Sequence, residues 1–497
     1  MEYSILFGGK AGQGPNILSI ILSKTLTQKG YFVFLSRDYQ SLIRGGHNFN
    51  VLTFSDKPVY SNKSKIDLIV ALDENTIEIH KKELNKDGII LFKKDVESMY
   101  FLGRLYKILG LDFLELENQL KEIEKNFEEN VKDAKQGYDE EKRIVCKVKS
   151  EKNKLSFKNG NQGISEGAIK SGLDLYYAYP MTPATNVLTE LAEKQIKNNH
   201  LVLELESEIA VINTGIGSAI TGAKTMIGTS GGGFDLMTEA LSLTGMARVP
   251  LVIYLASRPG PSTGVATYTS QGDLGLARYS GHGEFNKMIL APGNPKEAEE
   301  LTNQAFYFSQ KFKIPVIILS DKHLAESFFS YNENPKLIKS LKSTNLRRYN
   351  SYEMDKFGCA TEDAKIIKKN VDERLKLQKE ISEEAEKFKQ FEVYGKKSKN
   401  IVVGWGSTKG AILDAIKDLS IEFLQFLYLE PFPIKTKKFL EGKNIILIEN
   451  NSTAQLGKLI AEKTGIITHE KNKILKYDGR PFFSDELKLE IKKRMIK

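Results

Sequence analysis

Short apolar runs alternate with segments of helical periodicity along most of this chain. Residues 3–7 predict a strand, a glycine-rich turn runs to Gly14, and 17–27 carries a helical pattern. Further strands are predicted at 31–36, 66–71 and 88–92, and such alternation argues for a parallel α/β sheet. The charged run 115–141 predicts a solvent-facing helix, and the first domain is expected to span 1–150. Polar residues from 151 to 161 suit a linker.

The alternation then resumes. A second domain, 156–330, is expected from strands at 201–204, 224–229, 250–256, 288–291 and 315–319, with helices at 208–223 and 234–243. Over 331–399 the pattern changes to a charged connector. Within it, Val371, Leu375, Ile381, Ala385 and Phe388 mark one side of one or two exposed helices. A last α/β domain, 400–497, is predicted from strands at 400–403, 423–429 and 444–449. At about 150 residues per domain, a chain of 497 residues is expected to form roughly three.

Composition narrows the function classes. The 72 Lys and Arg against 63 Asp and Glu leave a net charge of +9, dispersed among helices that also carry glutamate. A nucleic-acid surface would concentrate that charge, so no nucleic-acid partner is expected. No stretch approaches the ~20 apolar residues of a membrane span. Two cysteines, Cys146 and Cys359, are too few for a four-thiolate iron–sulfur cluster, and the six histidines show no zinc spacing, so no metal site is expected. The N-terminal residues enter a strand without a basic segment followed by an apolar one, which predicts a cytoplasmic protein.

Five polar or glycine-rich clusters could carry chemistry. Gly8, Gly9, Gly12 and Gly14 sit between a strand and a helix, where backbone N–H groups can cradle a phosphate; a packing turn without ligand is the plainer alternative. Arg44, Gly45 and His47 form a second glycine turn. Tyr179, Pro180, Thr182 and Pro183 make a proline-stiffened loop after a strand, where α/β proteins bind ligands. Glu208 opens a helix rich in small residues, as a dipole-stabilising carboxylate or as a proton partner for a heterocycle. Gly231, Gly232, Gly233 and Phe234 suggest a loop passing close to a planar ligand, and Arg258, followed by Thr267 and Asp273, suits recognition of a carboxylate. Glycine-lined loops without their own metal or cluster suggest a large organic cofactor, shared with a partner chain.

These residues, in this order, resemble the alpha subunit of 2-oxoacid:ferredoxin oxidoreductases in the form with a gamma domain fused ahead of the alpha part. The resemblance rests on Gly8 to Gly14, on 43–48, on Tyr179 to Thr185, and on 229–239, 258–273 and 281–285. It continues through 404–410, 429–433 and 449–451. It implies a gamma-type α/β domain, a thiamine-diphosphate pyrimidine-type α/β domain and a C-terminal transketolase-C-like α/β domain. The implied activity is oxidative decarboxylation of a 2-oxoacid to an acyl-coenzyme A and CO₂, with electrons passed to ferredoxin.

The same resemblance implies roles. Glu208 matches the glutamate that hydrogen-bonds the aminopyrimidine nitrogen and favours its imino tautomer. Arg258 and Thr267 match residues that hold the substrate carboxylate, with Thr182 beside them, and Tyr179, Pro180 and Gly231 to Phe234 line the cofactor cleft. Gly9, Gly12, Gly14, Arg44 and Gly45 are candidates for coenzyme A access. Thiamine diphosphate and Mg²⁺ are implied to be shared with a beta subunit that carries the iron–sulfur cluster, in a hetero-oligomer with two copies of each chain. The preferred substrate is 2-oxoglutarate, ahead of pyruvate and branched 2-oxoacids; a non-catalytic scaffold subunit is the non-enzymatic alternative. Departures from the family pattern cluster near 347–358, where a segment is missing and Met354 and Lys356 replace a His and a Glu, and Gln162 stands for a usual glutamate.

Overall fold

A computed structural model describes residues 1–40, 46–122, 126–341 and 349–496. They form two compact units: Met1–Lys158 with Ser327–Glu333 and Phe483–Leu487, and the remainder.

The first unit is built on a seven-stranded sheet. Its order is Leu84–Leu91, Ile66–Ala71, Glu2–Lys10, His47–Ser55, Phe32–Tyr39, Phe328–Tyr331 and Ser156–Asn159. Glu2–Lys10 runs parallel to Ile66–Ala71 but antiparallel to His47–Ser55, which is also antiparallel to Phe32–Tyr39. The sheet is therefore mixed, not parallel as the alternation predicts. The physical reason lies between Tyr39 and His47, where the connection is too short for a crossover helix and allows only an antiparallel return. The strand His47–Ser55 was hidden by its neighbouring glycine turn. Leu18, Leu22 and Leu26 of the helix Pro15–Gln28 pack with Leu102 and Leu105 of the helix Ser98–Ile108 in its core.

In the second unit, six strands run parallel. Their order is Leu201–Glu204, Leu175–Ala178, Thr225–Thr229, Leu251–Ser257, Pro315–Asp321 and Met288–Leu290. Leu251–Ser257 and Pro315–Asp321 are buried at every position, as expected of strands covered on both faces. The predicted strand 423–429 is two strands in two sheets. Glu422–Phe426 lies in a five-stranded sheet with Asn400–Trp405 and Asn444–Glu449, whereas Tyr428–Glu430 pairs antiparallel with Met288–Leu290.

Residues 159–326 and 400–482 consequently share one hydrophobic core, in which Ile253 and Ile317 join Val403 and Leu447. A buried ion pair, Lys409 with Glu297, crosses between them, and Gln425 Nε2 donates to the same carboxylate at 2.8 Å. The charged connector forms one long helix, Ala364–Ala385, that buries Ile381 and Ala385.

Candidate active site

The parallel strands of the second unit create a crevice by their order. After Leu175–Ala178 the chain moves to the edge strand Leu201–Glu204, then returns to the other side as Thr225–Thr229. The loops leaving the two neighbours diverge at their C-terminal ends, the usual ligand position in an open α/β sheet. Tyr179 to Thr182 leave one strand, and Ser230 to Gly233 leave the other.

Glu208 is the first residue of the helix Glu208–Ile220 and is 4% exposed. Ser207 caps this helix, its Oγ accepting from the Ala210 N–H at 3.2 Å. Buried against the partial positive charge of the helix terminus, the carboxylate is held in a fixed place.

The triple glycine is not a loop. Gly231 to Gly233 form the first turn of the helix Gly231–Met246, with Ser230 at its N-cap. A Cβ on Gly233 would lie 2.6 Å from Glu208 Oε1 and would also strike Thr229 Oγ1, and one on Gly231 would lie 2.7 Å from Asp273 Oδ2. Glycine is required here because two carboxylates approach the helix backbone, not because of φ. Phe234, predicted to line a cleft, is fully buried in the core beneath that turn, with its N–H donating to Ser230 O at 2.9 Å.

Arg258 follows the strand Leu251–Ser257. Its Nη1 donates to the Thr182 carbonyl at 2.9 Å, tying this arginine to the proline-stiffened loop. Burial lowers the guanidinium's pKa, and the nearby Asp273 and Glu208 charges oppose that shift. Burial likewise raises the carboxyl of Asp273 above the usual range, while a Ser257 hydrogen bond and the charge of Arg258 pull it down. Arg258 Nε, Asp273 Oδ2 and Ser230 Oγ are buried without a hydrogen-bond partner. Orphaned buried polar atoms of both kinds, next to an N-terminal helix turn, fit a polar ligand that supplies both donors and acceptors. Thr267 is buried on the strap 258–273, Tyr179 is 40% exposed, and Pro180 is half-buried at the crevice mouth.

Thr182, Glu208, Arg258 and the glycine turn are thus brought together. Asp273 and Ser230 join them. The stretch Gln271-Gly272-Asp273 is visible in the sequence, but nothing there indicates that its carboxyl reaches back to Gly231. A cavity of about 360 Å³ elsewhere in this unit, bordered by Arg278, Lys287 and Arg374, includes none of the predicted site residues.

The first unit holds the other predicted cluster. Gly9 is part of the strand Glu2–Lys10, which runs further than the sequence pattern predicts, and only Gly12 and Gly14 of the site candidates lie between it and the helix Pro15–Gln28, both with φ of +93°. That helix has no side-chain cap. Arg44 and Gly45 lie outside the described residues. His47 meets His80, Nε2 to Nε2 at 2.8 Å, and His80 Nδ1 meets Glu83 at 2.8 Å. His47 Nδ1, Asn48 Oδ1 and Asp73 Oδ2 are buried without partners. Among the described residues, no group of three or more His, Cys, Asp or Glu could hold a metal ion.

Crevice, glycine turn and helix-terminal glutamate define an α/β protein with a cofactor-type site at a strand switch point. Residues 166–397 match the thiamine-diphosphate-binding family of pyruvate flavodoxin/ferredoxin oxidoreductases, and 4–97 match the pyruvate ferredoxin/flavodoxin oxidoreductase family. The alpha subunit of a 2-oxoacid:ferredoxin oxidoreductase from Sulfolobus sp is 29% identical, covering 98% of this chain and 96% of its own. The 2-oxoglutarate synthase subunit KorA of Archaeoglobus fulgidus is 40% identical over 34% of this chain and 49% of its own. A 2-oxoglutarate:ferredoxin oxidoreductase from Magnetococcus marinus, solved with 2-oxoglutarate, coenzyme A and succinyl-CoA bound, has the same fold, with a TM-score of 0.87 at 21% identity over 99% of both chains. Over nearly its whole length the chain is thus similar to 2-oxoacid:ferredoxin oxidoreductase alpha subunits, and the two family matches together span most of it.

Proposed function

We propose that this chain, with a beta subunit, oxidatively decarboxylates a 2-oxoacid, with 2-oxoglutarate the preferred substrate. Coenzyme A takes the acyl group, CO₂ leaves, and the two electrons released pass to ferredoxin. The observation that carries this reading is the meeting of Glu208, the glycine turn and Arg258 in one crevice.

The residues present fit thiamine diphosphate. Its aminopyrimidine offers both a donor and an acceptor, which suits the orphaned polar atoms around Ser230, Arg258 and Asp273. When bound, the cofactor supplies a carbon nucleophile and an electron sink for decarboxylation. Glu208 holds a proton against the pyrimidine nitrogen, fixed by its helix terminus and by Gly233. Arg258, oriented by the Thr182 carbonyl, binds the substrate carboxylate, and Thr267 and Thr182 border it. The exposed strap tip, 260–265, passes the glycine turn, where a Cβ on Gly232 would lie 3.6 Å from Ser262 O.

The rest of the reading follows from the family. Mg²⁺ is shared with the beta subunit, which carries the iron–sulfur cluster; two copies of each chain assemble, and the complex is cytoplasmic. Among the described residues, no helix is long and apolar enough to cross a membrane. Gly9, Gly12 and Gly14 serve coenzyme A access. Three names among the relatives support 2-oxoglutarate, as they are 2-oxoglutarate synthase subunits.

The test is anaerobic, coenzyme A-dependent viologen reduction by this chain co-purified with its beta partner. It is assayed with 2-oxoglutarate, pyruvate and 2-oxoisovalerate. The expected result is turnover highest with 2-oxoglutarate. Absence of reduction by a complex with its cofactor and cluster intact overturns the proposal, and a preference for another acid overturns the substrate assignment.

A further inference from the structure

Arg258 and Thr267 sit on a strap that leaves the strand Leu251–Ser257 beside the glycine turn, and its two ends are held very differently. At the near end Arg258 continues a buried strand. The tip, 260–265, is exposed, and only local bonds order it: Val265 N–H to Pro259 O at 3.0 Å and Tyr268 N–H to Val265 O at 3.1 Å. The far end is bolted to the loop after the strand Asn444–Glu449.

Gln271 is the bolt. It is fully buried, and every hydrogen-bonding group it has is used. Its N–H donates to Asn450 O at 2.7 Å, and its Oε1 accepts from the Asn450 N–H at 2.9 Å. Its Nε2 donates to Trp405 O at 2.8 Å, and its carbonyl accepts from Asn451 Nδ2 at 3.2 Å. Asn451 is itself fixed by Glu449 Oε2 at 2.6 Å, and that carboxylate accepts from the N–H groups of Leu456 and Gly457, both at 3.1 Å. Gln455 reinforces the joint, Nε2 to Gly272 O at 2.7 Å and Oε1 from the Gly275 N–H at 2.9 Å.

We propose that the turn Glu449–Asn450–Asn451 is a latch that, through Gln271, positions Thr267 for the substrate carboxylate opposite Arg258, which its own strand and the Thr182 carbonyl hold. This rests on the function proposed above. These are positioning residues, all four buried, and they act through the strap. A strap with an exposed tip takes its position from its anchors, here Gln271 together with Thr269, whose N–H donates to Gly479 O at 3.1 Å and whose Oγ1 donates to Asp321 Oδ1 at 3.1 Å. A misplacement of about 1 Å at a substrate-holding group can cost on the order of a hundredfold in rate. The latch also assigns the third sheet a catalytic purpose that no crevice residue on it would suggest.

The test uses the complex with its beta subunit. Gln271→Ala and the milder Gln455→Ala are compared with Glu462→Gln, which loosens a different contact between the same two sheets, the Arg278–Glu462 pair at 2.8 Å. Gln271→Ala is expected to raise KM for the 2-oxoacid about tenfold while thiamine diphosphate affinity stays within twofold, with Gln455→Ala intermediate and Glu462→Gln at wild-type KM. Hydrogen exchange supplies a readout independent of activity. Peptides covering 258–275 are expected to exchange at least tenfold faster in Gln271→Ala, and those covering Glu208 are not. Should Gln271→Ala fail to assemble, Gln455→Ala carries both readouts. Unchanged exchange in the strap overturns the latch. So does a KM rise matched by an equal loss of cofactor affinity, or one shared by Glu462→Gln. A wild-type complex without 2-oxoacid turnover overturns the proposed function instead, and strap exchange then still decides whether the latch exists.

Discussion

Two glycine turns at strand ends, one in each unit, look alike in sequence and work by different physics. In the first unit, Gly12 and Gly14 adopt φ of +93°, a backbone region that a side chain disfavours. A Cβ on Gly12 would meet nothing within 4 Å, so conformation alone selects glycine there. In the second unit, Gly231 and Gly233 are helical, and they are glycine because Asp273 and Glu208 occupy the space a Cβ needs. The first turn needs glycine for its own shape. The second needs it for its neighbours, and those neighbours are two carboxylates of the proposed site. A run of glycines therefore locates a tight place without saying whether chemistry happens in it; the identity of what presses against it does.

The sharpest way to break this contrast is Gly233→Ala. The added methyl collides with Glu208 and Thr229, both buried. Turnover is expected to fall by more than about a hundredfold, since displacing a catalytic carboxylate by even about 1 Å is this costly. Thiamine diphosphate binding, followed by its quenching of intrinsic fluorescence, is expected to weaken in parallel. An active Gly233→Ala enzyme would mean that Glu208 is not held where it matters. Glu208→Gln is the companion change. It preserves volume and removes the proton-holding carboxylate, so kcat is expected to fall about 10²- to 10⁴-fold with assembly intact, the range for loss of a general acid–base group. Turnover close to wild type would favour a scaffold subunit.

Gly12→Ala tests the other side and is expected to be milder. With open space around the site, the cost is the backbone term of about 1–2 kcal/mol for a left-handed non-glycine residue. Thermal unfolding of the first unit is expected to shift down by about 2–8 °C. A shift as large as that of a core deletion would show that this turn, too, is crowded by something.

How far the sequence reveals the two turns depends on range. The strand Leu251–Ser257, the helix start at Glu208 and the rigid 179–185 loop are written in local pattern, and all lie where the pattern puts them. The antiparallel strand His47–Ser55 is not, because an adjacent glycine turn masks its alternation. Nor is the division of 423–429 between two sheets, which depends on a long-range pairing with Met288–Leu290. Within the crevice, Glu208, Thr182 and Arg258 are recognisable one by one. Their meeting is not, and neither is the approach of Asp273 to Gly231, since separations of this kind are set by sheet order rather than spacing. Phe234 marks the limit from the other direction: it neighbours the glycines in sequence but points into the core.

The smallest effect separates the units by pH. His47 lies behind the first glycine turn, and burial, followed by the neighbouring His80, lowers its pKa from the ordinary 6.5, against weaker opposing pulls from Asp73 and Glu83. A histidine whose folded value is depressed binds its proton more readily in the unfolded chain. Its stability contribution is thus complete above about pH 6.5 and is lost as pH falls toward the depressed folded value. Thermal scans between pH 7.5 and pH 5 are therefore expected to show the first unit losing stability on acidification. His47→Gln removes the titration while leaving a polar side chain, and is expected to flatten that slope; an unaltered slope would assign the acid sensitivity elsewhere. In the second unit Asp273 has the opposite sense. Burial raises its carboxyl above the usual range, so protonation there favours the folded state rather than opposing it. Acid should therefore loosen the first glycine turn before it loosens the second, and hydrogen exchange of peptides covering 8–14 and 228–235 across the same pH range reads that order directly.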